Sequence, residues 1–340
     1  MRYCCLLLLF FFVSFTRAQD IHFSQMKFSP LMVNPAFAGL NGKYNAIANY
    51  RSQWNSVSAP FTTIGASFDM NFSTTNNNKG FLAGGINLFH DIAGDMKMTS
   101  SNVGLNLSYH LRTGRSSTIG LGIQGGYFSR GIGNVNGFYG SQYNGTIIDQ
   151  SLPSGENFNR TNFGYVDLGS GIVFKHNSLS ENTFNYGGYS LATGMAAYHI
   201  TRPKYSFLQG GNEDLSMRLA AFVEVEFLLN DRWGLMPALY YQRQGAHQEI
   251  YFGTYIKYKI IKRSNITGLV DGLYLAYGPF YRVNDAFVNK LLIDYKGYAL
   301  GISYDVNLSS LTHASKGRGG VEFMFRYTLS TDQQTRSRFK

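Results

Sequence analysis

The chain is poor in cysteine, in charge, in tryptophan and, past its first residues, in long apolar runs. Its only cysteines, Cys4 and Cys5, fall in the opening stretch MRYCCLLLLFFFVSFTRA. There Arg2 sits in a short basic head, an apolar run extends from Leu6 to Val13, and a small residue, Ala18, precedes Gln19. The run is too short to cross about 30 Å of hydrocarbon, so residues 1–18 are expected to be a cleaved secretory signal peptide. Neither cysteine ends a plausible lipoprotein cleavage site, and the mature chain then has no disulfide, no thiolate nucleophile and no cysteine metal site. An exported protein of this kind must hold its shape by hydrogen bonding and packing alone.

Charged residues make up 15% of the chain, against roughly 25% in ordinary soluble domains. Removing Arg2 and Arg17 takes the net charge from +10 to +8. No Lys/Arg tract or basic helix accompanies that excess, so nucleic acid is not an expected partner. The positive charge reads as spread over loops and a polar interior, or as contact with an anionic membrane surface. After the leader no stretch reaches roughly 18 consecutive apolar residues, which excludes a membrane-spanning helix. A membrane protein with this sequence must span as strands.

What is abundant fits that alternative. There are 38 Gly, 24 Tyr and 27 Phe against 2 Trp, and a period of two dominates. In NVGLNLSYHLR, Val103, Leu105, Leu107, Tyr109 and Leu111 share one face, and Asn102, Asn106, Ser108, His110 and Arg112 share the other. LSMRLAAFVEVEF, HQEIYFGTYIKYKI, YALGISYDVNL and VEFMFRYTL repeat the pattern. About fourteen such segments fall between residues 41 and 329, most of about 9 to 14 residues, longer than the five or six usual in soluble sheets. The fold class is therefore all-β, a transmembrane antiparallel β-barrel of the outer membrane with about 14 strands. A soluble sandwich would need a very large core beneath very few charged surface residues.

Further features agree. Tyr44, Tyr50, Tyr127, Tyr198, Tyr241, Tyr258, Tyr298 and Tyr327 fall near strand ends, where an interfacial girdle is expected. Short turns alternate with long loops, which assigns the short ones to the periplasmic rim. Glu224, Glu226, Glu249, Lys257, Lys259, Arg218 and Arg243 are assigned inward, to plug the lumen or line a pore. Glycine-rich runs such as GLGIQGG lie in a strand, with no following helix, and make no phosphate cradle. The seven histidines show no metal-ligand spacing, and no catalytic, cofactor or metal site is expected. His90 and His110 could neighbour serines on adjacent strands, as a barrel lipase would require, but serines occur on almost every strand.

The segment behind the leader, HFSQMKFSPLMVNPAFAG, is apolar and aromatic yet interrupted by Pro30 and Pro35, so it is neither one regular helix nor one central strand. With it, QDIHFSQMKFSPLMVNPAFAG, NYRSQW, PFTTIGASFD, AAYHITRPKYSFL, WGLMPALYYQRQGAHQEIYFG and LGISYDVNLSSLTHASKGRGGVEF run in an order that resembles the PorP/SprF family of type IX secretion systems of Bacteroidetes. The resemblance implies an accessory outer-membrane barrel that assists secretion or surface attachment of large proteins. Gliding adhesins with C-terminal sorting domains are the implied cargo. Periplasmic and outer-membrane secretion components are the implied partners, beside membrane lipid. The competing reading is a porin-like diffusion channel.

Residues 19–40 are then expected to be a periplasmic segment folded into the lower mouth, as a plug or docking strap. Phe23, Phe28, Leu31, Pro35 and Phe37 are its candidate contacts, with Arg51 and Trp54 on the first strand. Residues 41–329 form the barrel. Residues 330–340 form a polar tail, which departs from a barrel whose terminal strand ends the chain.

Overall fold

The computed structural model describes residues 20–54, 59–73, 79–135, 137–155, 160–182, 185–207, 211, 213–261, 272–309 and 312–329. The leader, residues 1–18, and the tail, residues 330–340, lie outside them. The first half of the wall is β1 (Tyr44–Gln53), β2 (Phe61–Asn71), β3 (Gly80–Ala93), β4 (Met98–Arg112), β5 (Ser117–Ile132) and β6 (Asn162–Asn177). A separate ribbon of β7 (Ser180–Asn182) and β8 (Asn185–Gly187) follows. The wall resumes with β9 (Tyr189–Tyr198), β10 (Arg218–Leu228), β11 (Trp233–Gln244), β12 (His247–Ile261) and β13 (Leu273–Arg282). It finishes with β14 (Ala286–Tyr295), β15 (Tyr298–Asn307) and β16 (Arg318–Leu329).

The fourteen wall strands are a closed barrel, antiparallel at every pairing, and β1 meets β16 with Tyr44 opposite Leu329 and Gln53 opposite Gly320. Closure is what hydrocarbon demands, because an open edge would leave a row of backbone N–H and C=O groups without partners. Side-chain alternation decides which face meets lipid. In β4, Leu105 is 63% exposed while its neighbour Asn106 is 5% exposed. Leu121 and Ile123 on β5, Val166 on β6, and Leu300 and Ile302 on β15 continue the exposed apolar belt. Facing the lumen instead are Asn87, Asn106, Gln124, Asp69, Lys290 and Glu322, all buried.

Two sequence assignments change. Tyr198, expected in the girdle, points inward and is buried, its hydroxyl donating to the Leu31 carbonyl at 3.0 Å. It is the last inward position of β9, and period two fixes its face whatever its suitability for an interface. Arg243, assigned inward, is exposed and sits opposite the outward Leu219. The inward position at that end of β11 belongs to the buried Gln244.

An even strand number brings both ends of the wall to one rim, the terminal rim. The opposite loop rim carries the long connections 133–161 and 199–217. The division is less clean than the sequence suggested. The β7–β8 ribbon lies at the terminal rim, and the connections 245–246 and 283–285 make tight turns at the loop rim. Strand parity decides which rim a connection occupies, but it does not decide its length.

Two prolines interrupt the ladders. Between β10 and β11 the pairing passes from Glu224–Ala238 to Phe227–Leu235, around Pro237, and between β12 and β13 from Gly253–Phe280 to Ile256–Tyr277, around Pro279. Proline has no N–H to donate, so each leaves a gap in its ladder, and the register also shifts between Lys259 and Ile261 on β12 and between Tyr304 and Val306 on β15.

Candidate functional site

Residues 20–40 lie inside the cylinder and run its full height, which corrects the expectation that they fill only the lower mouth. At the loop rim the Asp20 N–H donates to Gln244 Oε1 at 2.9 Å, and its carboxylate accepts from Gln244 Nε2 at 3.1 Å. At the terminal rim the Leu40 carbonyl accepts from Lys175 Nζ at 3.2 Å. In between, the segment makes 3-10 turns at Met26–Phe28 and Pro35–Phe37 and the short helix α1 (Pro30–Val33). Pro30 and Pro35 each open their turn, where a missing N–H costs no hydrogen bond.

The upper half of the segment is held by ions. Ser24 and Gln25 donate their N–H groups to the Glu322 carboxylate at 2.7 and 3.1 Å. The Ser24 hydroxyl donates to Asp305 at 2.8 Å and accepts from Arg282 Nη2 at 2.8 Å. Arg51 pairs with Asp305 at 3.1 Å and donates to the His22 carbonyl. Asp305 is shared between Arg51 and Arg282, the latter at 3.3 Å, so loss of one arginine leaves the other in place, whereas loss of Asp305 removes a partner from both buried cations, a cost of about 3 to 5 kcal/mol. Lower down, Asn34 accepts from the Ala36 N–H at 2.9 Å and donates to the carbonyls of Ile172 and Met195 at 2.9 and 3.0 Å, so one amide ties the segment to β6 and β9. The Gly39 N–H donates to Asp69 at 2.8 Å, and Lys27 pairs with Glu224 at 2.8 Å.

Inward glycines make room. A Cβ on Gly122 would strike the Pro35–Ala36 backbone, and one on Gly65 would stand 2.7 Å from the Phe23 ring. The wall is therefore cut to the shape of its contents at positions that a period-two reading cannot distinguish from other glycines.

Phe23, Phe28, Leu31, Pro35 and Phe37 are all buried in the lumen. Phe37 packs on Phe222 with ring centres 4.8 Å apart, and Phe28 meets Tyr255 edge-on at 6.5 Å. Arg51 joins the ionic network. Trp54 does not join them: it caps β1 at the loop rim, in left-handed backbone at φ 57°, against Phe61 at 4.5 Å.

The latch at the loop rim was not foreseen. His199 sits between two carboxylates, its Nε2 2.6 Å from Asp20 and its Nδ1 2.8 Å from Asp167, and Arg218 stands 3.4 Å from Asp20. Burial alone would lower its pKa, but Asp20 and the hydrogen bonds to Asp167 and Asp20 raise it to about 9, so the imidazole is a cation. Burial works to raise the Asp20 pKa, and His199 and Arg218 overcome it and hold the carboxyl below its ordinary range. Of the serine and histidine candidates, His110 lies 2.8 Å from the Ala38 carbonyl and 3.1 Å from Ser108 on its own strand. His90 lies 2.7 Å from Ser101, and among the described residues no carboxylate forms an ion pair with it.

The family model described as "Type IX secretion system membrane protein PorP/SprF" matches residues 15–327, nearly the whole of this lumen-filled barrel. The chain belongs to that family. No curated protein matches it. Solved structures similar to this PorP/SprF protein include the toluene transporter TbuX of Ralstonia pickettii, 10% identical, covering 89% of this chain and 94% of that one at a TM-score of 0.47. A FadL homologue from Pseudomonas aeruginosa is 11% identical over 86% and 91% of the two chains, TM-score 0.45. BamA from Haemophilus ducreyi is 10% identical over 84% and 70%, TM-score 0.44. Membership makes this PorP/SprF protein an outer-membrane component of type IX secretion.

Proposed function

We propose that this protein is an accessory barrel that assists secretion or surface attachment of large cell-surface proteins, such as gliding adhesins with C-terminal sorting domains. In this reading a cleaved signal peptide directs export, and the terminal rim faces the periplasm and engages periplasmic parts of the machinery. The supporting observation is a lumen occupied from Asp20 at one rim to Leu40 at the other. A cylinder threaded from rim to rim by its own chain is no conduit for a folded protein, so its contribution to secretion is as a platform. Phe23, Phe28, Leu31, Pro35, Phe37 and Arg51 act as plug contacts, and the chain has no enzymatic role.

The test is a strain lacking this chain. Its sorted surface proteins should accumulate inside the cell, and unchanged surface display would overturn the proposal. The porin reading predicts stepwise conductance of the purified protein in planar bilayers, whereas a filled lumen should pass little current.

A further inference from the structure

At the terminal rim the lumen segment stops short of filling the cylinder and leaves a cavity of about 380 Å³. Phe28, Pro30 and Phe37 give it an apolar floor, and charged side chains surround the rest. Each carboxylate there has its cation: Glu224 with Lys27 at 2.8 Å, Glu226 with Lys257 at 2.7 Å and Asp294 with Arg326 at 2.5 Å. Lys175 is the exception among the lining cations. No carboxylate among the described residues forms an ion pair with it. Its ammonium donates to the Leu40 carbonyl at 3.2 Å and to Asn41 Oδ1 at 3.3 Å. Charge-assisted bonds are shorter, about 2.7 to 2.9 Å, and an ammonium has a third hydrogen to give.

We infer that this cavity binds a carboxylate carried on a short apolar stem, with Lys175 as its counter-ion and the stem lying on Phe28 and Phe37. One unmatched cation among neutralised pairs selects a single negative charge, and a phosphate dianion would meet the neighbouring Glu224, Glu226 and Asp294. The volume is that of a small-ligand site. Both the carboxyl end of a polypeptide and a free short-chain acid present this chemistry.

Calorimetric titration of the full chain in detergent micelles separates the outcomes. The probes are acetyl-Gly-Gly-Phe as the free acid, the same peptide as its C-terminal amide, and acetyl-phenylalanine. The free acid should bind saturably and the amide about tenfold or more weakly, with Lys175→Met losing the preference. Tighter binding of the peptide acid than of acetyl-phenylalanine assigns the site to polypeptide ends, and equal binding assigns it to short acids. Equal affinity for acid and amide, or no saturable binding by any probe, overturns the inference. The acid–amide comparison on the unaltered protein stands even if the variant fails to fold. Micelles have no periplasmic side, so failure here leaves the proposed secretion role untouched.

Discussion

His199 holds left-handed backbone at φ 58°, a conformation costly outside glycine, and it is retained where both ring nitrogens and its N–H meet carboxylates. Its folded pKa of about 9 lies above the ordinary 6.5, so its contribution to stability is complete below about 6.5 and is lost as pH rises through 9. Asp20 is displaced the other way, and its contribution is present above 3.8 and lost in acid. The latch should therefore be strongest between about pH 4 and 6.5 and loosen progressively as pH rises toward 9. Unfolding in urea followed by gel mobility is expected to show stability falling between about pH 6.5 and 9 and levelling off above that, and His199→Gln should lower stability by about 2 kcal/mol at pH 6 and remove most of that pH dependence. No local pattern announces this group, because Asp20 lies 179 positions away in the chain. The inward charges were readable for the opposite reason: Glu224 and Lys257 each stand beside large apolar neighbours in strict alternation.

Strands were legible because each of their residues is constrained by lipid on one face and the lumen on the other, so period two persists without a break from Asn102 to Leu111 of β4. The lumen segment has no period, and only its prolines and aromatic residues marked it as something to be buried. Its fit to the wall rests on glycines whose neighbours are remote in sequence. Gly122→Leu should push the Pro35–Ala36 turn off β5 at a cost of about 2 to 3 kcal/mol, read as a lower urea midpoint. Gly125→Leu is the control on the lipid face, where an added Cβ meets only Leu168 at 3.8 Å, and should leave the midpoint unchanged. Deleting residues 20–39 exposes Glu322, Asp305 and Arg282 to water inside an open tube. That variant should conduct in planar bilayers where the intact protein is nearly silent, while still migrating as a heat-modifiable barrel.

Strand parity ties the two rims to the two sides of a membrane, and the contacts of Asp20 with Gln244 and His199 place the start of the lumen segment on the far side from both ends of the wall. An epitope joined directly ahead of Asp20 should be reached by antibody on intact cells. One inserted at Asp231, in the turn between β10 and β11, should be reached only after permeabilisation. Cylinder, strand number and membrane were legible from alternation, and the family from its quoted blocks. The height of the plug was not, since it depends on where the rims lie in space.

The wall shuts between β1 and β16, and Arg51 and Glu322 face each other across that line. Ser24 and Gln25 bond to Glu322, and Ser24 also to Asp305 one strand further on. The filler is thus covalently continuous with the very strand that seals the ring, and both events draw on the same carboxylates. In the intact chain, seating of the segment should consequently accompany closure of the seam rather than follow it, although the wall's own pairing suffices to close a barrel from which the segment has been deleted.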